Sequence, residues 1–124
     1  VLLSGLPLRA QVLLSVMEIE AWFIGEYLHF SKVDDRLVAD RITAARLFDP
    51  RTIMVEDIAH PSSEMDAIYL LEGENYIKSR EQVQAIVDAL DFEHMTVDVR
   101  LRAPALGRLV DELTAIFQRA NSNG

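Results

Sequence analysis

The chain has no cysteine, which excludes disulfides, thiolate nucleophiles and thiolate metal sites and leaves the redox compartment unreadable. Its five glycines are scattered, so no glycine-rich loop is available to cradle a phosphate. A Gly-x-Ser-x-Gly nucleophile elbow is missing as well. The three histidines, His29, His60 and His94, fall at no zinc-site spacing. Cations are few: 12 Lys and Arg stand against 20 Asp and Glu, for a net charge of −8. That balance disfavours a broad electrostatic grip on nucleic acid, although a cleft that bridges the repulsion with metal ions is still allowed. No apolar run approaches a membrane span, and the first residues lack the basic start of a signal peptide. The expectation is a cytoplasmic chain without membrane contact.

Half of the 124 residues are hydrophobic, enough for a core that removes roughly two thirds of the unfolded surface from water. No repeat or Gly/Ser linker divides the chain, so residues 1–120 read as one domain and 121–124 as a frayed polar tail. The apolar opening from Val1 reads like the middle of a domain and suggests a fragment.

Hydrophobic spacing supplies the elements. Val12 to Met17 is an apolar run of the kind found in buried strands, and Glu18 to Leu28 either ends that strand or continues as a helix. Asp34 or Asp35 is placed to cap a helix over Arg36 to Leu47, closed by Asp49-Pro50. Thr52 to Val55 is β-prone but short. Ser62 or Ser63 caps a stripe of Met65, Ile68 and Tyr69 that ends at Gly73. Ser79-Arg80-Glu81-Gln82 is a capping box, with Gln82 placed to reach back to the Ser79 amide. Val97, Val99 and Leu101 alternate with charged residues and suit a half-exposed strand, with a helix as the other reading. Pro104 opens a last helix whose stripe runs from Leu106 to Phe117.

The densest candidate chemistry is Glu18-Ile19-Glu20-Ala21-Trp22-Phe23. Ligands of open α/β sheets gather at the carboxyl ends of strands. Two acids two residues apart on an extended chain face the same way and suit a hard cation. On a helix they diverge and become first-turn acids favoured by the dipole. Trp22 reads as a packing residue. His60, near Glu56 and Asp57, is either a general acid/base or part of an ordinary loop. Lys78, in Tyr76-Ile77-Lys78, is a point charge for a phosphate or carboxylate, or a solvated residue before a helix.

Three motifs in order give a resemblance. Glu18-Ile19-Glu20-Ala21-Trp22-Phe23 after an apolar run, Tyr76-Ile77-Lys78 before a helix, and Pro104-Ala105-Leu106 opening another together resemble an uncharacterised bacterial TOPRIM-like family. That family is distantly similar to the overcoming-lysogenisation-defect nucleases. The resemblance implies an α/β, Rossmann-like sheet with flanking helices and a helical C-terminal part, incomplete here at its N-terminus. It also implies Mg²⁺- or Mn²⁺-dependent phosphoryl transfer on nucleic acid, with Glu18 and Glu20 as accessory metal and catalytic acids and Lys78 balancing phosphate charge. Such sites also use an early Glu and an Asp-x-Asp, and no Asp-x-Asp occurs in this chain. The expectation is therefore the C-terminal two thirds of such a domain, inactive alone. The contrasting reading is a non-catalytic acidic module that binds a protein partner or a second copy by charge complementarity. A hydrolase using Glu20 with His60 has the least support.

Overall fold

The structure, a computed structural model, describes residues 19–122. Among them the order is α1 (Ile19–Gly25), a 3-10 turn (Tyr27–His29), α2 (Phe30–Val33), α3 (Ala39–Ala45), a second 3-10 turn (Val55–Asp57) and α4 (Pro61–Leu70). Then follow α5 (Arg80–Ala89), α6 (Phe92–Val97), a third 3-10 turn (Val99–Leu101) and α7 (Pro104–Ser122). The described residues contain helices and turns and no strand. A TOPRIM domain is built on a sheet, so this overturns the α/β, Rossmann-like expectation and the assignment to a TOPRIM-like family. The strand expected at Val12–Met17 lies outside the described residues.

Each departure has a local cause. The segment Val97–Leu101 reads as alternating, yet Val97 and Leu101 are exposed and Val99 is buried. Asp91 caps α6 by accepting from the His94 amide at 2.9 Å. A 3-10 turn over Val99–Leu101 then brings Val99 inward. Around Arg36, Asp34 does accept from the Arg36 amide at 3.0 Å, but it caps a turn, and the helix starts only at Ala39. Thr52 to Val55 passes through a turn into the Val55–Asp57 3-10 segment.

Other signals are realised as read. Ser79 caps α5, accepting from the Gln82 amide at 3.1 Å. Pro104 opens α7, as its fixed φ favours; α4 instead starts at Pro61 after His60, so Ser62 and Ser63 lie inside its first turn and do not cap it. Gly73 adopts φ +75° just beyond α4, a left-handed turn conformation that costs glycine little.

α1 sits at the centre. Every residue from Glu20 to Gly25 is buried, the signature of a helix enclosed on all sides. It packs on α4 and on the Val55–Asp57 turn, while α7 stacks on Val99–Leu101 and α2 meets α5. Phe23, Ile24, Phe30, Ile42, Met65, Ile68 and Ile86 are fully buried around it, each worth roughly 1.5–3 kcal/mol of transfer from water. Gly25 permits the closest approach, since a Cβ there would stand 2.8 Å from Val55 Cγ2 and 3.1 Å from Val99 Cγ1. Arg102 locks this junction: its guanidinium donates to the carbonyls of Pro50 (2.7 Å), Ile53 (3.3 Å) and Gly25 (3.1 Å). No helix among the described residues is long and apolar enough to cross a membrane.

Candidate functional site

Glu20 lies in the first turn of α1 and is 2% exposed. A carboxylate this deep needs partners, and the chain brings them from two distant segments. Ser62, near the start of α4, donates to Glu20 Oε1 at 3.2 Å. Lys78, on the loop before α5, sets its Nζ 2.6 Å from the same oxygen. Two of the three sequence candidates thus meet across 58 positions. Glu18 lies outside the described residues.

The Lys78 backbone is held in an uncommon state. Its φ of 58° places a long side chain in the left-handed region, at a cost of about 1–2 kcal/mol. The capping box explains how that cost is met. Gln82 does not reach the Ser79 amide; its Oε1 accepts instead from the amides of Ile77 (2.9 Å) and Lys78 (3.1 Å). Its Nε2 donates to the Asn75 carbonyl at 2.6 Å. One residue before Ile77, Asp66 of α4 accepts from the Tyr76 amide at 2.9 Å. A loop pinned at four consecutive positions fixes where Lys78 emerges, and strain of this kind gathers at functional sites.

The pair opens onto a cleft of about 650 Å³ between α1 and α5, walled by Ile19, Tyr76, Val83 and Val87 and edged by Arg80 and Gln84. Tyr76 is 8% exposed and its hydroxyl makes no hydrogen bond of good geometry. Burial, and then the Glu20 charge, push its phenol up, so it stays a neutral donor. Arg80 is exposed and forms no ion pair among the described residues. Ile19 and Val87 also line a neighbouring groove of about 290 Å³, with Trp22, Leu106, Leu109 and Leu113 among its walls. Trp22 is accordingly a packing residue at the edge of that groove.

The metal-dependent nuclease reading does not survive this geometry. Besides the missing sheet, no group of three or more His, Asp or Glu among the described residues is arranged to hold a metal ion. The Glu20 oxygen that a cation would use carries the Lys78 ammonium. His60 is exposed and faces a separate depression with Asp57 and Glu64, so it is not brought to Glu20 as a hydrolase would need. Glu56 instead accepts from the Ala105 amide at 3.4 Å, at the start of α7.

A second polar cluster lies inside the fold. Glu26 is fully buried and accepts from the amides of Leu28 (3.1 Å), His29 (3.1 Å) and Asp91 (3.2 Å). Its Oε1 meets His94 Nδ1 at 2.7 Å, and His94 Nε2 meets Asp98 at 2.9 Å. His29 places Nδ1 2.6 Å from the Glu26 carbonyl and stacks beside Phe30. Sequence reading singled out neither Glu26 nor Arg80, because neither sits at a motif spacing. The Tyr76-Ile77-Lys78 element and the capping box were the signals that led to the cleft.

The sequence matches no protein-family model, and neither a curated protein nor a solved structure is significantly similar to it. Function is therefore argued from the chemistry of the site.

Proposed function

We propose that the chain is a binding module whose α1–α5 cleft takes an amphiphilic anion, an apolar body ending in a carboxylate or phosphate. The observation that supports this is a surplus of donors. An ammonium has three N–H bonds, and Lys78 directs one donor to Glu20. Arg80 forms no ion pair among the described residues, and the Tyr76 hydroxyl lies beside Glu20 without a hydrogen bond of good geometry. A ligand in this cleft must bring acceptors, and charge-assisted bonds to an oxyanion are the strongest on offer. Ile19, Val83 and Val87 offer apolar surface beside those donors, which suits a ligand with a short hydrocarbon part.

In this reading Glu20 is the counter-ion that positions Lys78. The net charge of −8 does not oppose binding, since exposed charges more than about 8 Å away are screened at physiological salt.

The test is a titration with octyl phosphate and octanoate, with octanol as the neutral control, followed by Trp22 fluorescence and by amide shifts of residues 76–84. Both anions are expected to saturate, and octanol to bind far more weakly. Lys78→Met and Arg80→Met should each weaken the anions about tenfold or more. Equal binding of octanol, or no saturable binding of either anion, would sink the proposal.

A further inference from the structure

The chain has two lysines, Lys32 and Lys78, and their surroundings differ. Lys32 donates to the Ala89 carbonyl at 2.8 Å, an acceptor that takes no proton. Lys78 Nζ lies 2.6 Å from the Glu20 carboxylate, which can take one. An amine that attacks a carbonyl carbon needs such a base within hydrogen-bond reach, and a third group that orients the base. Ser62 is that third group, donating to the same Glu20 oxygen at 3.2 Å. The Tyr76 hydroxyl, beside Glu20 on the same cleft, is a neutral donor for an oxygen that acquires negative charge. A plain ion pair does not account for this arrangement. The Lys78 side chain is 59% exposed, and exposed pairs contribute about 0–1 kcal/mol. The left-handed backbone that Gln82 imposes on Lys78 costs about 1–2 kcal/mol.

We infer that Lys78 captures 2-oxo acids with a hydrocarbon chain as an imine, an inference that rests on the anion cleft for the seating of the ligand's two ends. Arg80 takes the carboxylate, and Ile19, Val83 and Val87 take the chain. Glu20 accepts one proton from the Lys78 ammonium. The nitrogen pair then forms the C–N bond, while the carbonyl π pair moves onto oxygen, towards the Tyr76 hydroxyl. A second nitrogen proton neutralises that oxygen, giving a carbinolamine. Glu20 returns its proton to the new hydroxyl, the C–O bond breaks and water leaves. The product is an iminium with the same single positive charge as the ammonium, still facing the Glu20 carboxylate.

The test is trapping with 2-oxooctanoate and sodium cyanoborohydride near neutral pH, read by intact mass and peptide mapping. Reduction of each imine adds one ligand less an oxygen atom. Lys78 is expected to label about a hundredfold faster than Lys32. Glu20→Gln, with its fold checked by circular dichroism, should remove most of that lead, and Tyr76→Phe should cut it about tenfold or more. Lys78→Arg keeps a cation beside Glu20 and should leave only Lys32 and the α-amino group to label. Equal labelling of Lys78 and Lys32, with octanoate still binding, would overturn the imine and leave the anion cleft standing. Glu20→Gln labelling as fast as wild type would overturn the part given to Glu20. An equal lead with 2-octanone, which lacks the carboxylate, would overturn the 2-oxo acid assignment and the anion cleft with it, while the imine stood.

Discussion

Glu26→Ala is expected to cost about 3–5 kcal/mol, the loss seen when one partner of a buried charged network is removed. Glu26 ties the turn after α1 to the start of α6 through a single carboxylate: it accepts from the Leu28, His29 and Asp91 amides and meets His94. Alanine would leave the buried His29 amide and the His94 ring nitrogen without that acceptor. Glu26→Gln keeps one acceptor oxygen and should cost less. Domains of this size are stable by about 5–15 kcal/mol, so the alanine variant should lie near the limit of folding. Urea unfolding of the three proteins measures the difference. A loss below about 1 kcal/mol for Glu26→Ala would mean that water replaces the carboxylate and that the cluster is not closed.

Acid should destabilise the protein through His29, in a window set by burial. Desolvation lowers its pKa from 6.5 to about 4; the hydrogen bond to the Glu26 carbonyl opposes this, and nearby Lys32 adds to it. The folded state thus keeps His29 neutral at pH values where the unfolded chain binds a proton. Stability from this group is complete above pH 6.5 and is lost as pH falls towards 4. At about 1.4 kcal/mol per unit the loss approaches roughly 3 kcal/mol. Below that, the folded state takes up the proton as well and this contribution levels off. Carboxylates held low by arginine, such as Asp34 at about 2 beside Arg36, act only in stronger acid. The measurement is urea unfolding from pH 7.5 to 4 for wild type and His29→Phe. The difference between the two curves isolates His29, because His60 and His94 are present in both. A difference that stays flat across the window would contradict the buried, neutral imidazole.

The sequence reveals the later helices better than the earlier ones, for a physical reason. α5 and α7 carry their own start signals, Ser79 and Pro104, and α4, α5 and α7 carry stripes at helical spacing, although α4 begins at Pro61 and not at the Ser62 or Ser63 cap expected. α1 carries no periodicity, because it is buried on every side; an all-apolar stretch reads equally as a strand. The sheet expectation rests on the apolar run Val12–Met17, outside the described residues, on the resemblance to a TOPRIM-like family, and on the alternation at Val97 to Leu101. Short 3-10 turns also escape notice, since three residues hold no stripe.

The candidate site was legible in part. Glu20, paired with Glu18, and Lys78, in Tyr76-Ile77-Lys78, both attract attention in sequence, but their meeting depends on a non-local contact that no spacing encodes. The strained backbone at Lys78 is set by Gln82, which satisfies two amides outside the helix it was expected to cap. The donor surplus appears only when Tyr76 and Arg80 are seen on the same cleft. Arg102, the bolt between Gly25 and the Pro50 loop, looks in sequence like one more solvated charge.

A double-mutant cycle of Glu20→Gln and Lys78→Met, read by urea unfolding, tests most directly whether those two residues form one site. The structure predicts a coupling of at least about 0.5 kcal/mol, as for residues in contact. Losses that add to within about 0.3 kcal/mol would contradict it, leaving Lys78 a solvated cation and the cleft without its anchor.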